Sequence, residues 1–273
     1  MSAVGDAFDK AAAVGRGVLV GYLPAGFPTV QGAIAAILAM AESGTDIVEI
    51  GLPYSDPLID GPVIQEAVHR ALTGGAHVRD VLRTVEAVAA AGIPALVMTY
   101  WNPVEHYGVD AFARDLAAAG GSGMITPDLP PEEAGPWLDA AATHRLDPVF
   151  LVAPSSTPER IELITSLCRG FVYAASLMGI TGSRDTVSRD ASGLVARVRA
   201  CTSLPVGVGL GVRDGAQAAE VASFADGVIV GSAFVQRLLD APDLAAGIAA
   251  VRVLADDLAT GVRRPARPAD QVS

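Results

Sequence analysis

The chain has 273 residues, 51% of them hydrophobic and 18% charged, a composition that supports a large buried core and excludes a disordered chain. Its net charge of −11 makes nucleic acid and acidic membrane surfaces poor partners. Mean hydropathy is +0.41, yet the longest apolar stretch, Ala33 to Ala41, is about half of what a bilayer span requires.

The N-terminus places Asp6 and Asp9 before its first basic residue, Lys10, unlike a signal or transit peptide. Cys168 and Cys201 form neither a disulfide framework nor a metal-binding spacing, so a cytoplasmic location is expected. Of 19 basic residues only Lys10 is a lysine.

In chain order, residues 2–14 read as a helix. Strands are expected over Gly17–Tyr22, Asp46–Ile50, Ala95–Thr99, Gly123–Thr126, Pro148–Val152, Gly170–Ala174, Pro205–Gly209 and Gly227–Val230. Helical periods run over Val30–Ser43, Val78–Ala91, Val109–Ala119, Pro131–Ala142, Pro158–Cys168, Gly193–Cys201, Gly215–Ser223, Ala233–Leu239 and Leu244–Leu258. Such alternation builds a parallel sheet with helices outside it. Repeated along the whole chain, it favours one α/β domain, a (β/α)8 TIM barrel with an extra N-terminal helix, over an open doubly wound sheet. The barrel is expected over residues 1–260, and 261–273 read as a flexible C-terminal tail.

Side chains alternate faces along a strand. In the second strand Val48 and Ile50 should meet the outer helices, which turns Ile47, Glu49 and Gly51 into the barrel. A carboxylate there is costly unless it is paired or protonated, and strand C-terminal ends are where barrels keep their chemistry. Glu49 is therefore a catalytic candidate, the alternative being a structural pair with an Arg. The long segment Gly51–Pro62 follows, and its Asp60 can accept an N–H from a ligand while Glu49 transfers protons. Asp-Gly-Pro is also strong turn chemistry.

Near the C-terminus, Pro205–Val212 and Asp226–Ala233 are strands that end in Gly or Ser before a helix. Glycines admit an anion to the backbone, and the helix start supplies N–H groups and a positive dipole end. These are the usual phosphate positions of barrels. The strand ending near Tyr173 runs into a Gly-, Ser- and Thr-rich loop expected to reach about Ser192, with the length of a lid. Within it Thr181 is a candidate substrate contact and Gly182 a candidate anion cap. The Tyr173 hydroxyl either reaches the site or belongs to the core.

A Schiff-base mechanism needs a lysine inside the barrel, and Lys10 precedes the first strand. His69, His77, His106 and His144 are not at ligand spacing, so no metal is expected. No phosphate loop of the Gly-Lys-Ser/Thr type and no full dinucleotide fingerprint is present. Cofactor-free acid–base chemistry on a phosphorylated ligand remains.

The run Glu49-Ile-Gly-Leu-Pro-Tyr-Ser-Asp-Pro-Leu-Ile-Asp-Gly-Pro62 resembles the signature of the tryptophan synthase α chain family. So do Met98–Pro103, Pro127–Pro130, Tyr173–Gly182, Gly207–Gly211 and Gly231–Ala233. The resemblance implies retro-aldol cleavage of indole-3-glycerol phosphate to indole and glyceraldehyde 3-phosphate. It implies that Glu49 moves protons between the indole C3 and the glycerol hydroxyl, that Asp60 accepts the indole N–H, and that Tyr173 supports the glycerol. Phosphate is implied at Gly182, Gly211, Gly231 and Ser232, and an indole pocket at Tyr22, Ile64, Tyr100, Ile125 and Leu210. Positions 22 and 210 are often Phe in the family, so Tyr22 adds a hydroxyl that needs a partner and Leu210 offers less stacking surface. A pyridoxal-phosphate (PLP) β subunit in an α2β2 heterotetramer is implied as partner, facing Pro53, Tyr54, Asp56, Asp128 and Pro130, with no cofactor in this chain. The alternatives are a stand-alone indole-releasing lyase, a phosphorylated-ligand isomerase and a non-catalytic allosteric barrel.

Overall fold

A computed structural model describes residues 2–176 and 184–263, with 184–189 described in their backbone only. Helix α1 (Ala3–Ala13) precedes β1 (Val18–Pro24), α2 (Val30–Glu42), β2 (Ile47–Gly51), α3 (Pro62–Thr73), α4 (Val78–Ala90) and β3 (Ala95–Met98). Then come α5 (Trp101–Tyr107), α6 (Val109–Ala118), β4 (Gly123–Thr126), a 3-10 turn (Pro131–Glu133), α7 (Gly135–His144), β5 (Asp147–Val152) and α8 (Pro158–Leu167). The chain continues through β6 (Val172–Ala175), α9 (Arg184–Arg199), β7 (Val206–Gly209), α10 (Gly215–Ala222), β8 (Gly227–Val230), α11 (Ser232–Leu239) and α12 (Leu244–Val262). The strands pair in parallel in sequence order and β8 returns to β1, closing the barrel.

Strand alternation sorts the core into two parts. Val18, Val20, Ile47, Leu96, Ile125, Val149, Phe171 and Ile229 fill the barrel, with Val4, Phe8 and Ala11 of α1 packed beneath them. Leu19, Leu23, Val48, Ile50, Val97 and Val208 belong to the layer between sheet and helices. Val48 and Ile50 thus face outward and Ile47 inward, as the alternation predicts. The N-terminal helix is the plug of the barrel floor: its Phe8 ring lies 5.4 Å from that of Phe171, which lies 6.4 Å from Tyr173 nearer the mouth. Each such large apolar side chain stabilises the fold by about 1.5–3 kcal/mol when removed from water.

Several expected boundaries are corrected. The polar segment expected to form a loop as far as Ser192 is helical from Arg184. Helices α3 and α5 occupy segments for which the sequence names no element; Pro62 is tolerated at the first position of α3, where its missing N–H costs nothing. Pro131–Ala142 divides into the 3-10 turn and α7. The tail does not begin at Gly261: α12 runs to Val262, and a β-carbon at Gly261 would meet the carbonyl oxygen of Gly215 at 2.1 Å. That backbone-to-backbone approach of α12 to α10 requires glycine.

Candidate active site at the mouth of the barrel

Glu49 sits near the end of β2 and is 1% exposed. Its Oε1 has no hydrogen-bond partner, and no ion pair among the described residues involves it. The structural pairing with an Arg is therefore absent among them. Loss of hydration pushes its carboxyl up to about 8, so the acid form prevails at neutral pH.

Tyr22 stands opposite Glu49 in the register of β1 and β2. Burial, then the charges of Asp60 and Glu49, hold the Tyr22 phenol well above its ordinary range. Tyr173, half-buried on the inner face of β6, is raised by burial and then by Glu49 and Tyr22. Glu49, Tyr22 and Tyr173 are thus within electrostatic reach of one another. Glycine makes room for both phenols: a β-carbon at Gly51 would lie 2.3 Å from the Tyr22 hydroxyl oxygen.

Asp60 is placed by Tyr100, the residue before α5. The Tyr100 hydroxyl accepts hydrogen bonds from the N–H groups of Leu58 and Ile59, each at 3.0 Å, and lies close enough to the Asp60 side chain to favour its charged form. Burial raises the Asp60 carboxyl and the Tyr100 hydroxyl opposes that rise. A tyrosine that the sequence suggests as a pocket wall is also the anchor of the β2–α3 loop. Its partners are some forty residues away in sequence, so no local pattern could reveal it.

A cavity of about 850 Å³ opens at the ends of β3 to β7. Met98, Leu151, Tyr173, Leu210 and Gly211 line it, with Ile59 on the loop side. Tyr173 and Ile59 connect it to the carboxylates, which do not line it themselves. Sequence reasoning misses Met98 and Leu151 as lining residues, although Leu151 follows Val149 at the inward spacing. Ile125 is fully buried in the inner cluster, and Ile64 packs half-buried against the outer one.

Past the ends of β7 and β8, Gly231 precedes α11 with no side-chain cap, and Gly211 adopts a left-handed φ of 71°. Ser232 opens α11 and, with Arg213 and Arg237, lines a cavity of about 240 Å³. Sequence reasoning misses these two arginines because neither belongs to a Gly-rich strand end. Thr181 and Gly182 lie outside the described residues.

Of the residues expected to face a partner, Pro53 is buried, Tyr54 half-buried and Asp56 exposed. Tyr54 packs its ring 5.5 Å from that of Tyr100 and accepts a hydrogen bond from Asn102. Asp128 accepts the N–H of Trp101 at 2.9 Å and so holds the start of α5; Pro130 follows it, half-buried. Lys10 is exposed on α1 at the far end of the barrel, away from both carboxylates. Among the described residues no group of His, Cys, Asp and Glu could hold a metal, and no helix is long and apolar enough to cross a membrane.

Closed barrel and buried carboxylate together define a (β/α)8-barrel enzyme with its chemistry at the C-terminal mouth. The family model of the tryptophan synthase alpha chain matches residues 8–263. The tryptophan synthase alpha chain of Salinispora arenicola is 64% identical over 97% of this chain and 100% of its own length. That of Mycobacterium tuberculosis is 58% identical over 96% and 95%. Among solved structures, tryptophan synthase from M. tuberculosis in its open form superposes with a TM-score of 0.89 at 56% identity, covering 96% of this chain and 99% of that one. The alpha subunit from Legionella pneumophila gives 0.88 at 32% identity, covering 96% and 98%. The chain belongs to the tryptophan synthase alpha chain family, and its activity is the α reaction, the cleavage of indole-3-glycerol phosphate to indole and glyceraldehyde 3-phosphate.

Proposed function

We propose that Glu49 is the proton shuttle of this cleavage, with Asp60 and Tyr173 as its supports. The observation that carries the reading is the buried, unpaired Glu49 carboxyl, pushed up to about 8. In that acid form it donates its proton to the indole C3, and positive charge develops on the ring nitrogen. The Asp60 carboxylate accepts the indole N–H and stabilises that charge, as a fixed anion does in a site shielded from water. The Glu49 carboxylate then removes the proton of the glycerol hydroxyl next to the ring. The carbon–carbon bond breaks, its electron pair returns to C3, and the oxygen becomes the aldehyde carbonyl. Glu49 ends protonated, so one group serves as acid and base. Tyr173, within reach of Glu49, orients the glycerol.

The phosphate is assigned to Gly211, Gly231 and Ser232, together with Gly182 from outside the described residues. The uncapped start of α11 supports this, since unpaired N–H groups and the helix dipole favour an anion. Tyr22, Tyr100 and Leu210 are assigned to the indole, with Ile64, Ile125 and Thr181 as further contacts.

The partner is proposed to be a PLP-dependent β subunit that receives the indole in an α2β2 assembly in the cytoplasm. This chain holds no PLP in that reading, which supplies its chemistry in the partner. Leu58 and Ile59 are 75% and 49% exposed on the loop that carries Pro53, Tyr54 and Asp56, and adjoining exposed apolar side chains favour a partner. Asp128 and Pro130 complete the surface. The test is indole release from indole-3-glycerol phosphate with and without a candidate β subunit. Release that rises when the subunit is added is expected; unchanged release and no co-elution would assign a stand-alone lyase.

A further inference from the structure

The roles assigned above leave the Tyr22 hydroxyl unused. Tyr22 is 7% exposed, and its hydroxyl has no hydrogen-bond partner among the described residues. A buried phenol ordinarily finds one. The placement of the ring shows which ligand group is within range. A β-carbon at Gly231 would lie 3.2 Å from Tyr22 Cδ1, whereas one at Gly51 would lie 2.3 Å from the hydroxyl oxygen. The ring edge therefore rests against the phosphate end, and the hydroxyl reaches the strand of Glu49, opposite Tyr22 in register. A substrate with its phosphate at Gly231 and its scissile bond at Glu49 must run along this ring. The part that spans the distance is the glycerol arm, which carries hydroxyl groups.

We propose that the Tyr22 hydroxyl is a substrate-positioning group that hydrogen-bonds a hydroxyl of the glycerol arm and holds the arm against Glu49. The proposal rests on the assignment of phosphate to Gly231 and of the proton shuttle to Glu49. It differs from a packing role, which the ring alone would fill. It differs also from a bond to Asp60, which would act on any ligand carrying the indole.

Two ligands separate these readings: indole-3-glycerol phosphate, bound to a Glu49→Gln background so that it is not consumed, and an analogue that joins indole to phosphate through a plain three-carbon chain. Tyr22→Phe keeps the ring and removes only the oxygen. Dissociation constants for both ligands are measured with and without it, and a thermal melt checks that each variant is folded. The expected result is binding of the hydroxylated ligand weakened by about 3- to 10-fold, as for loss of one hydrogen bond, with the analogue unchanged within about twofold. Equal loss on both ligands, or loss on neither, overturns the proposal. If the analogue fails to bind the Tyr22 protein at all, the phosphate and indole assignments fail first, and the proposal falls with them.

Discussion

The Tyr173 hydroxyl occupies the space that a side chain at Gly209 would fill: a β-carbon there would lie 2.7 Å from the Tyr173 oxygen and 3.0 Å from Cε1. The two residues belong to neighbouring strands of one barrel wall, so a side chain at Gly209 would push the phenol from its place. Gly209→Ala is expected to displace the hydroxyl and lower kcat by about tenfold or more, in line with the sensitivity of positioned groups to small displacements. Because the oxygen makes the shortest contact, Gly209→Ala should cost less in a Tyr173→Phe background than alone. Steady-state kinetics of the double-mutant cycle check this. Strict additivity would show that Gly209 acts elsewhere.

Tyr100 makes a second prediction, on the acid side of the pH profile. Its hydroxyl opposes the rise that burial imposes on Asp60. Without that hydroxyl the Asp60 carboxyl titrates higher, and since the charged form is needed, activity is lost at a higher pH on the acid limb. Tyr100→Phe should therefore move the acid limb of kcat upward and also lower the plateau, because the N–H groups of Leu58 and Ile59 lose their anchor. A pH–rate profile of both proteins is the measurement. An unmoved acid limb would detach Asp60 from Tyr100.

The Glu49 carboxyl also makes stability depend on pH. Its native value of about 8 lies above the ordinary 4.5, so between those values the native state holds a proton that the unfolded chain has released. Stability from this group is complete below about pH 4.5 and is lost as pH rises through 8. Charging it in place costs a few kcal/mol, since each tenfold change in proton affinity corresponds to about 1.4 kcal/mol. Glu49→Gln removes the liability. Its Tm relative to the Glu49 protein should rise from pH 5 to about pH 8 by several degrees and level off above that. A constant difference across that range would mean that Glu49 is charged in the native chain.

Much of this is legible in sequence because the barrel obeys a period of two. Val48 and Ile50 against Ile47 and Glu49 tell inside from outside, and that alone marks Glu49 as misplaced for a structural residue. The glycine-ended strands tell where the backbone is open to an anion. Other features depend on contacts distant in sequence. The bonds of Tyr100 to Leu58 and Ile59, and of Asp128 to Trp101, join segments that carry no mutual signal. Helix α9 begins at Arg184, ahead of the period expected from Gly193; its later part buries Ala191, Leu194, Val195 and Val198, and a helix anchored by such packing can extend into a polar stretch of low propensity. Helix α5 lies in a segment for which the sequence names no element, and its first N–H is held by Asp128 from a distant loop.

The most direct test of the central claim, that Glu49 carries the protons, is indole release by Glu49→Gln under conditions where the protein still binds a phosphorylated ligand. A group that acts as both acid and base should contribute at or above the upper end of the usual range of about 100- to 10,000-fold. The expected result is cleavage reduced by about 10,000-fold or more with ligand affinity within about threefold. Cleavage retained within about tenfold, with binding intact, would contradict the account, because so small a loss lies below what a proton shuttle supplies.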